Sequence, residues 1–207
     1  MGDDKTKPAD GRSTRIERDL IGEREIEAAD LRGINTIRAG ENFRISGRQT
    51  HPALIHAYAL VKKACAIANR ESRYLDPVRA SAIERACDEV ASGALDEWFT
   101  LDALQGGAGT STNMNLNEVI ANRANAILAL EPGSAAEGSV DPLGHVNLHQ
   151  STNDTYPTAL RVALIGKIRE AARAAETLQG AFQKKEKEFS HIVTTGRTEL
   201  QAAVPMT

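Results

Sequence analysis

The sequence has few aromatic side chains, only two cysteines and no long apolar run. Aromatic residues make up 4% of the 207 positions, so a core must rest on Ala, Leu, Ile and Val. No apolar run approaches the roughly 18 residues that a transmembrane helix needs, and the first residues lack the basic-then-apolar pattern of a secretory signal. A formal charge of -3 offers no basic field to nucleic acid. We therefore expect a cytoplasmic protein with no membrane or nucleic-acid partner.

The two cysteines and two of the histidines are the candidates for metal binding. Cys65 and Cys87 lie within helical patterns and are interpreted as small buried residues rather than as a disulfide or metal ligands. His145 and His149 are spaced to share a metal ion on a helix. The proline and glycine beside them argue against a regular helix, and no Cys or acidic residue is suitably spaced. The sequence therefore predicts no metal site.

Apolar residues recur at intervals of three and four in three segments, which predicts three helices. They cover 51–69, the stretch from Asp76-Pro77 to Ser92-Gly93, and 115–130. Short strands are expected near 15–21 and 42–45, and residues 1–14 are expected to form a disordered tail. The side chains predicted to face inward are Leu54, Ala57, Val61, Ala64 and Ala68 in the first helix, Val78, Ala82, Ala86 and Val90 (or a neighbouring stripe) in the second, and Ile120, Ala124, Ile127 and Leu128 in the third.

A segment rich in Pro, Gly and Ser, residues 131–144, predicts a domain boundary. From Asp154 to about His191 a single long helix is expected, because its apolar residues follow a heptad repeat broken only at Lys185. Such a helix cannot bury its apolar seam alone, so it requires partner helices from other subunits or from a continuation of the chain. The seam residues are Leu164, Ile168, Ala171, Ala175, Leu178, Phe182 and Phe189.

Three polar patches stand near predicted helix ends: residues 106–115 (GGAGTSTNMN), 149–154 (HQSTND) and 196–201 (GRTELQ). Glycines let a backbone approach a ligand, and amides at a helix start bind anions. Hydroxyl and amide side chains add neutral hydrogen-bond donors. The patches together suit a small dianion. A nucleotide is disfavoured, because no Gly-Lys-Ser/Thr follows the glycines.

Each patch also has a purely structural interpretation. The first can be a glycine-rich turn whose Ser, Thr and Asn cap the next helix, and the second can be a cap for the long helix. The third, taken alone, is more typical of an ordinary polar turn.

Taken together, the patches resemble the signatures of the aspartase/fumarase superfamily. The stretch QGGAGTSTNMNLNEVIANRA (105–124) is similar to the first signature, HVNLHQSTNDTYPTALRVA (145–163) to the second and GRTELQAAVPMT (196–207) to the third. RIERDLIGERE (15–25) and AGENFRIS (39–46) are similar to the family's opening. These motifs resemble those of aspartases more than those of fumarases. Fumarases tend to have GTQSNMN, QSSND with FPT, and ATPLT, where this chain has GTSTNMN, QSTND with YPT, and AVPMT.

The resemblance implies a mainly α fold, with an N-terminal helical domain over 15–141 and the first long helix of a central bundle over 142–207. It implies homotetramers in which each active site draws on three subunits. The implied reaction is reversible elimination of ammonia from L-aspartate, a small dicarboxylate, to give fumarate, without a cofactor.

By motif, Thr110, Ser151 and Thr152 would hold the β-carboxylate, whereas Asn153 and Thr198 would lie near the amino group. Ser111 is a further substrate-binding candidate, and Asn113 and Glu199 are candidates whose roles stay open. Where the family usually has His or Gln after the threonine, this chain has Glu199, which would repel a dicarboxylate unless it is protonated or paired with a cation such as Arg197. The usual Asp after Leu-Gln is Ala202, and Leu31 and Arg32 replace a pair of tyrosines.

The family's general base is a serine of a GSS-x-MP-x-K-x-NP loop, and the lysine that binds the α-carboxylate belongs to the same loop. Neither occurs in these 207 residues, so no catalytic residue is assigned. We expect the chain to be an N-terminal part that has no activity alone and that assembles with copies of itself or with a complementing C-terminal fragment. The alternatives are a non-catalytic pseudoenzyme or a lyase of the fumarate hydratase type.

Overall fold

A computed structural model describes residues 13–130, 133 and 137–207 and divides into two compact units, with the division between Ala163 and Leu164. Its elements, in chain order, are mostly helices, as expected from the sequence. The first unit contains β1 (Thr14–Asp19), β2 (Gly22–Glu27), α1 (Ile34–Asn42), α2 (Pro52–Glu71), α3 (Pro77–Ala91), α4 (Thr110–Ile127) and the start of α5 (Thr152–Phe189). The second contains the rest of α5 with β3 (Thr194–Thr198) and β4 (Gln201–Met206).

The expected first strand is confirmed as β1, which pairs antiparallel with β2 across a two-residue turn. The expected tail lies outside the described residues except for residues 13 and 14, and Thr14 already belongs to β1. The strand expected near 42–45 is wrong, because α1 ends at Asn42 and the backbone then turns. The carboxylate of Asp102 accepts hydrogen bonds from the N–H groups of Ile45, Ser46 and Gly47, which replaces strand pairing there.

Helices α2 and α3 confirm two of the predicted helices, and both have proline in the first turn. The ring of His51 accepts a hydrogen bond from the first turn of α2, and the carboxylate of Asp76 accepts two from α3. These caps satisfy N–H groups that lack a partner within the helix. The domain division expected at 141–142 stays a prediction.

The inward face of α2 was predicted only in part. Ala57 is buried, but Ala64 and Ala68 are exposed, and the buried stripe instead includes Tyr58, Lys62 and Asn69. Polar residues can occupy this face because each finds hydrogen-bond partners on other segments. In α3, Ala82, Ala86 and Val90 are buried as predicted, whereas Val78 is exposed.

Helix α4 begins five residues before the predicted start, because its Thr-Ser-Thr-Asn run forms the first helical turn rather than a cap before it. Of its predicted inward residues, Ile120 and Ala124 are buried, and Ile127 and Leu128 are half-buried. Its other faces carry buried asparagines that hold neighbouring loops. Asn115 donates to Trp98 O, Asn122 to Leu31 O and Asn125 to Val140 O, and Asn125 Oδ1 accepts from Val140 N.

The long helix is confirmed: α5 has 38 residues. Within the second unit its seam is exposed, with 66% of Phe182 and 63% of Ile168 accessible. The apolar groove formed there by Leu178, Phe182 and Phe189 is what an unpartnered heptad seam produces. Strands β3 and β4 follow α5 in the sequence and form an antiparallel hairpin. Cys87 is buried, Cys65 is half-buried, and both are unbridged thiols, in agreement with their interpretation as small packed residues.

The buried carboxylate of Glu118 joins α4 to the start of α1. It accepts hydrogen bonds from the N–H groups of Gly33, Asn35 and Thr36 and from the side chains of Asn35 and Thr36. A Cβ atom at position 33 would lie 2.6 Å from the carboxyl carbon of Glu118, so only glycine fits there. The negative charge of this carboxylate at the N-terminus of α1 also interacts favourably with the helix dipole.

Glu118→Gln tests the importance of this carboxylate. The new amide group would face N–H donors, so we expect the free energy of unfolding to fall by about 2–4 kcal/mol in urea titrations. Glu89→Gln is the control, because Glu89 pairs with Arg123 at the partly exposed surface and such pairs contribute roughly 0–1 kcal/mol. Equal losses in the two variants would contradict the assignment.

Candidate functional site

A cleft of about 380 Å³ lies between the loop that precedes α4 and the first turns of α5. Segments far apart in sequence meet there, namely parts of the first and second polar patches. None of its lining residues is charged. They are Ala103, Gln105, Gly107, Ala108, Gly109, Asn153, Tyr156 and Pro157.

The close approach of the two segments depends on Gly109. This residue has φ of +82°, and a Cβ atom there would lie 2.3 Å from ring carbons of Tyr156. Both the backbone conformation and the lack of space therefore require glycine. The contact brings the residue before Thr110 against the second turn of α5.

The side chain of Gln105 organises the start of α4. Its Oε1 accepts hydrogen bonds from the N–H and the hydroxyl of Thr112, at 2.8 and 3.0 Å, and its Nε2 donates to Asp102 O. The N–H groups of Thr110 and Ser111 have no acceptor among the described residues. Thr110 is exposed and Ser111 is half-buried, so α4 begins with donors available to an anion.

The second patch combines capping with exposed donors. Ser151 Oγ accepts from Asn153 N at 3.2 Å, and Ser151 O accepts from Asp154 N and Thr155 N, so Ser151 caps α5. The structural interpretation is therefore correct for Ser151, although this residue is exposed and its hydroxyl keeps its own proton for donation. Thr152 is half-buried at the first position of α5, and Asn153 lines the cleft.

The residue before α4 and the first two turns of α5 thus line one small cleft of neutral groups. Of the predicted substrate-binding residues, Asn153 lines it, whereas Thr110, Ser111, Ser151 and Thr152 lie close to its lining residues in the chain. The positive ends of the two helix dipoles, with hydroxyl, amide and backbone donors, favour a small anion over a cation or an apolar ligand. Because hydroxyl and amide groups do not ionise near neutral pH, they can stabilise negative charge by donating hydrogen bonds without acting as acids.

The third patch belongs to the second unit. Thr198 ends β3, and Glu199 and Leu200 form the hairpin turn with φ values of +50° and +64°. This pair of positive φ angles is the conformation of tight two-residue hairpins. Thr198 and Glu199 are exposed there, and their expected places near the substrate stay predictions.

Asn113 lies in the protein interior rather than at the cleft surface. Its Oδ1 accepts from the hydroxyl of Tyr58 at 2.7 Å, and its Nδ2 donates to Asn147 Oδ1 at 3.1 Å. The Tyr58 hydroxyl also forms a 2.7 Å hydrogen bond with Thr155 Oγ1. Asn113 and Tyr58 therefore connect the first turns of α4 and α5.

Lys62 is a buried amine that the sequence interpretation missed. Its Nζ donates to Asn147 Oδ1 and Gln150 Oε1, both at 2.9 Å, and its hydrogen-bond partners include no carboxylate. Burial lowers the pKa of Lys62 to about 7. The sequence pattern that could have revealed Lys62 is a polar stripe on one face of α2, formed by Tyr58, Lys62 and Asn69.

The two histidines with metal-compatible spacing bind different partners. His145 Nδ1 accepts from Asp141 N, and His149 Nδ1 bonds to Asn69 Oδ1 at 2.8 Å. Within the described part of the chain, no three His, Cys, Asp or Glu side chains are grouped to hold a metal ion. None of the helices described there is both long and apolar enough to span a bilayer.

The buried amine predicts how stability changes with pH. The pKa of Lys62 is about 7 in the folded chain and 10.5 ordinarily, so above pH 7 the unfolded chain binds the extra proton. The free energy of unfolding should then rise by up to about 1.4 kcal/mol per pH unit between roughly pH 7 and 8.5. At higher pH, Cys87 and Cys65 oppose the rise, because burial raises the pKa of both thiols.

Urea unfolding at a series of pH values measures this slope. Lys62→Met should remove it. Lys63→Met should keep it, because Lys63, the next residue of α2, pairs with Asp88 of α3. An unchanged slope in Lys62→Met would show that Lys62 does not titrate in this window.

Comparisons with known proteins identify the family of this chain. A family model described as lyase matches residues 22–207. The aspartate ammonia-lyase of Bacillus sp is 45% identical over 93% of this chain and 41% of its own length. Fumarate hydratase class II 2 of Bradyrhizobium diazoefficiens is 47% identical over 94% of this chain and 41% of its own length.

Solved structures show the same fold. The crystal structure of fumarate lyase:delta crystallin from Brucella melitensis has a TM-score of 0.88 and 46% identity, over 94% of this chain and 45% of that one. Class II fumarase from Schistosoma mansoni has a TM-score of 0.85 and 32% identity, over 94% of this chain and 41% of that one. The chain spans 41–45% of the length of the relatives named above. Because the family model and the shared fold cover nearly all of it, the chain belongs to the aspartase/fumarase family of lyases.

Proposed function

We propose that this chain forms the carboxylate-binding part of an enzyme that reversibly eliminates ammonia from L-aspartate to give fumarate. The observation that carries the proposal is the convergence of the starts of α4 and α5 on one uncharged cleft. Thr110 and Ser111 from one helix and Ser151, Thr152 and Asn153 from the other provide donors for a carboxylate. Relatives named aspartate ammonia-lyase support L-aspartate as the substrate.

The proposed chemistry explains why neutral donors are needed. Removal of the Cβ proton leaves two negative charges on the adjacent carboxylate, and the C–N bond then breaks to release ammonia. Donors fixed around the carboxylate oxygens stabilise this dianion, at about 3–4 kcal/mol for a single well-placed donor. Thr198 would contact the amino group with Asn153. The reaction requires proton transfer and hydrogen bonds and no cofactor.

The group that removes the proton would come from elsewhere. The serine-loop signature of the family does not occur in these 207 residues. We propose that this loop belongs to another segment of a longer protein or to a complementing chain. The exposed seam of α5 supports assembly into a homo-oligomer, a tetramer by family resemblance. We also propose a cytoplasmic location, as expected for metabolism of aspartate.

A second candidate reaction is the hydration of fumarate. It is supported by the 47% identity to a protein named fumarate hydratase class II 2. The same carboxylate-binding cleft would serve both reactions, because both pass through a dianion at the same carboxylate. The two differ in whether ammonia or water adds to fumarate. A non-catalytic protein that keeps the fold is the remaining alternative.

Binding of succinate, an unreactive dicarboxylate, tests the cleft directly. Isothermal titration calorimetry on the 207-residue chain should detect binding, and Thr110→Val should weaken it about tenfold by removing one hydroxyl donor. Thr177→Val is the control, because that hydroxyl donates to Arg173 O within α5 in the second unit. Equal affinities for both variants would argue against a role for Thr110.

Turnover distinguishes the two reactions. The chain is mixed with the C-terminal part of the Bacillus sp relative, and fumarate is followed by its ultraviolet absorbance. We expect ammonia-releasing turnover of L-aspartate in the mixture and none with the chain alone. Turnover of malate without turnover of L-aspartate would favour the hydratase, and turnover of L-aspartate by the isolated chain would refute the need for a second segment.

A further inference from the structure

We propose that Lys62 is a positioning residue for the carboxylate-binding cleft, acting through Asn147 and Gln150 on the turn that leads into Ser151. The inference rests on the proposed function, because it concerns how that cleft is held in shape. Lys62 itself has no accessible surface and would not touch the substrate.

The polar stripe of α2 forms hydrogen bonds to the segment that leads into α5 and to the first turn of α5, from three positions along α2. The hydroxyl of Tyr58 reaches Thr155, and Lys62 reaches Asn147 and Gln150. Two turns further along, Asn69 Nδ2 donates to Leu148 O, and Asn69 Oδ1 bonds to His149 Nδ1. One rigid helix therefore determines the path of residues 147–155, which include the second polar patch.

This path is strained immediately before the cap of α5. His149 has φ of +57°, a conformation that costs non-glycine residues free energy. Besides its bond to Asn69, its ring packs edge-on against Tyr74 with centroids 4.7 Å apart. A segment held in this conformation needs hydrogen bonds on both sides of the strained residue, and Lys62 supplies them at Asn147 and Gln150.

Asn147 also connects the two helices that face the cleft. Its Oδ1 accepts from Lys62 Nζ, from Asn113 Nδ2 and from Asn117 Nδ2, at 2.9, 3.1 and 3.2 Å. Asn113 lies in the first turn of α4, three residues after Thr110. Loss of the bond from Lys62 would thus loosen the carboxamide that holds α4 and the turn before Ser151 in register.

The energetics argue against a purely stabilising role. A buried amine without a carboxylate lowers stability unless its hydrogen bonds offset the loss of hydration. In the same cluster, Asn117 Oδ1 is buried without any partner. A methionine would fill the space of Lys62 without the cost of burying an amine. The lysine instead provides two directed bonds to the residues that set the position of Ser151.

The titratable groups around Lys62 predict the pH dependence of binding. Cys65 on α2 and Cys87 on α3 act on its charge, Tyr58 lies one turn before it, and His149 lies on the segment that it holds. Burial raises the pKa of Tyr58 to about 12 and raises the pKa of both thiols. Lys62 itself changes charge near pH 7, and its bonds are stronger when it is charged.

The experiment compares Lys62→Met with Lys63→Met, a neighbouring lysine that pairs with Asp88. Succinate affinity is measured by calorimetry from about pH 6.5 to 8.5, where succinate and both carboxylates of L-aspartate are ionised. In the wild-type chain the affinity should fall as pH rises through about 7. Lys62→Met should bind about tenfold more weakly at pH 6.5 and lack this inflection, and Lys63→Met should behave as wild type.

Amide hydrogen exchange provides a readout that does not need the ligand. Faster exchange confined to residues 147–155 in Lys62→Met, with α2 and α3 still protected, would support positioning. If the wild-type chain does not bind succinate, the proposed function fails, and the exchange data alone decide on Lys62. If succinate binds and Lys62→Met matches Lys63→Met in affinity, pH profile and exchange, the positioning role is overturned. Global loss of protection in Lys62→Met would also overturn it, in favour of a general role in folding.

Discussion

The need of buried amide and amine groups for hydrogen-bond partners governs the arrangement of the first unit. Helix α4 is buried on nearly every side and its asparagines bond to several connecting segments, and α2 turns Tyr58, Lys62 and Asn69 inward. A buried polar group without a partner costs about 1–3 kcal/mol. The loops therefore take the paths that satisfy these side chains. Apolar packing alone would leave the loops many alternative paths.

This interior places the cleft. Tyr58 and Asn113 connect the first turns of α4 and α5, and Asn147 receives bonds from both α2 and α4. At the surface, Gly109 permits contact with the ring of Tyr156 that no other residue would allow. These buried hydrogen bonds hold the donors at the helix starts in place. Aligning the donors toward an anion would therefore cost little free energy.

The second unit follows a different rule. Its helix presents an apolar seam that the hairpin of β3 and β4 leaves exposed, and the fold is shared with lyases more than twice as long as this chain. Burial of such a seam requires further helices of matching periodicity. The proposed ligand binding therefore rests on the polar cluster of the first unit, and the proposed assembly rests on the apolar seam of the second.

The sequence by itself determined helices α2, α3 and α4, the length of α5 and the family, because periodicity and signature motifs are local properties of the chain. It also identified Thr110, Ser151 and Asn153 as candidates. It did not predict α1, β2, β3 or β4. Nor did it predict that Ala64 and Ala68 are exposed, that Asn113 and Lys62 are buried, or that Tyr156 lines the cleft. Those outcomes were decided only by the tertiary structure, because whether a polar side chain faces inward depends on partners that are supplied by distant segments of the chain.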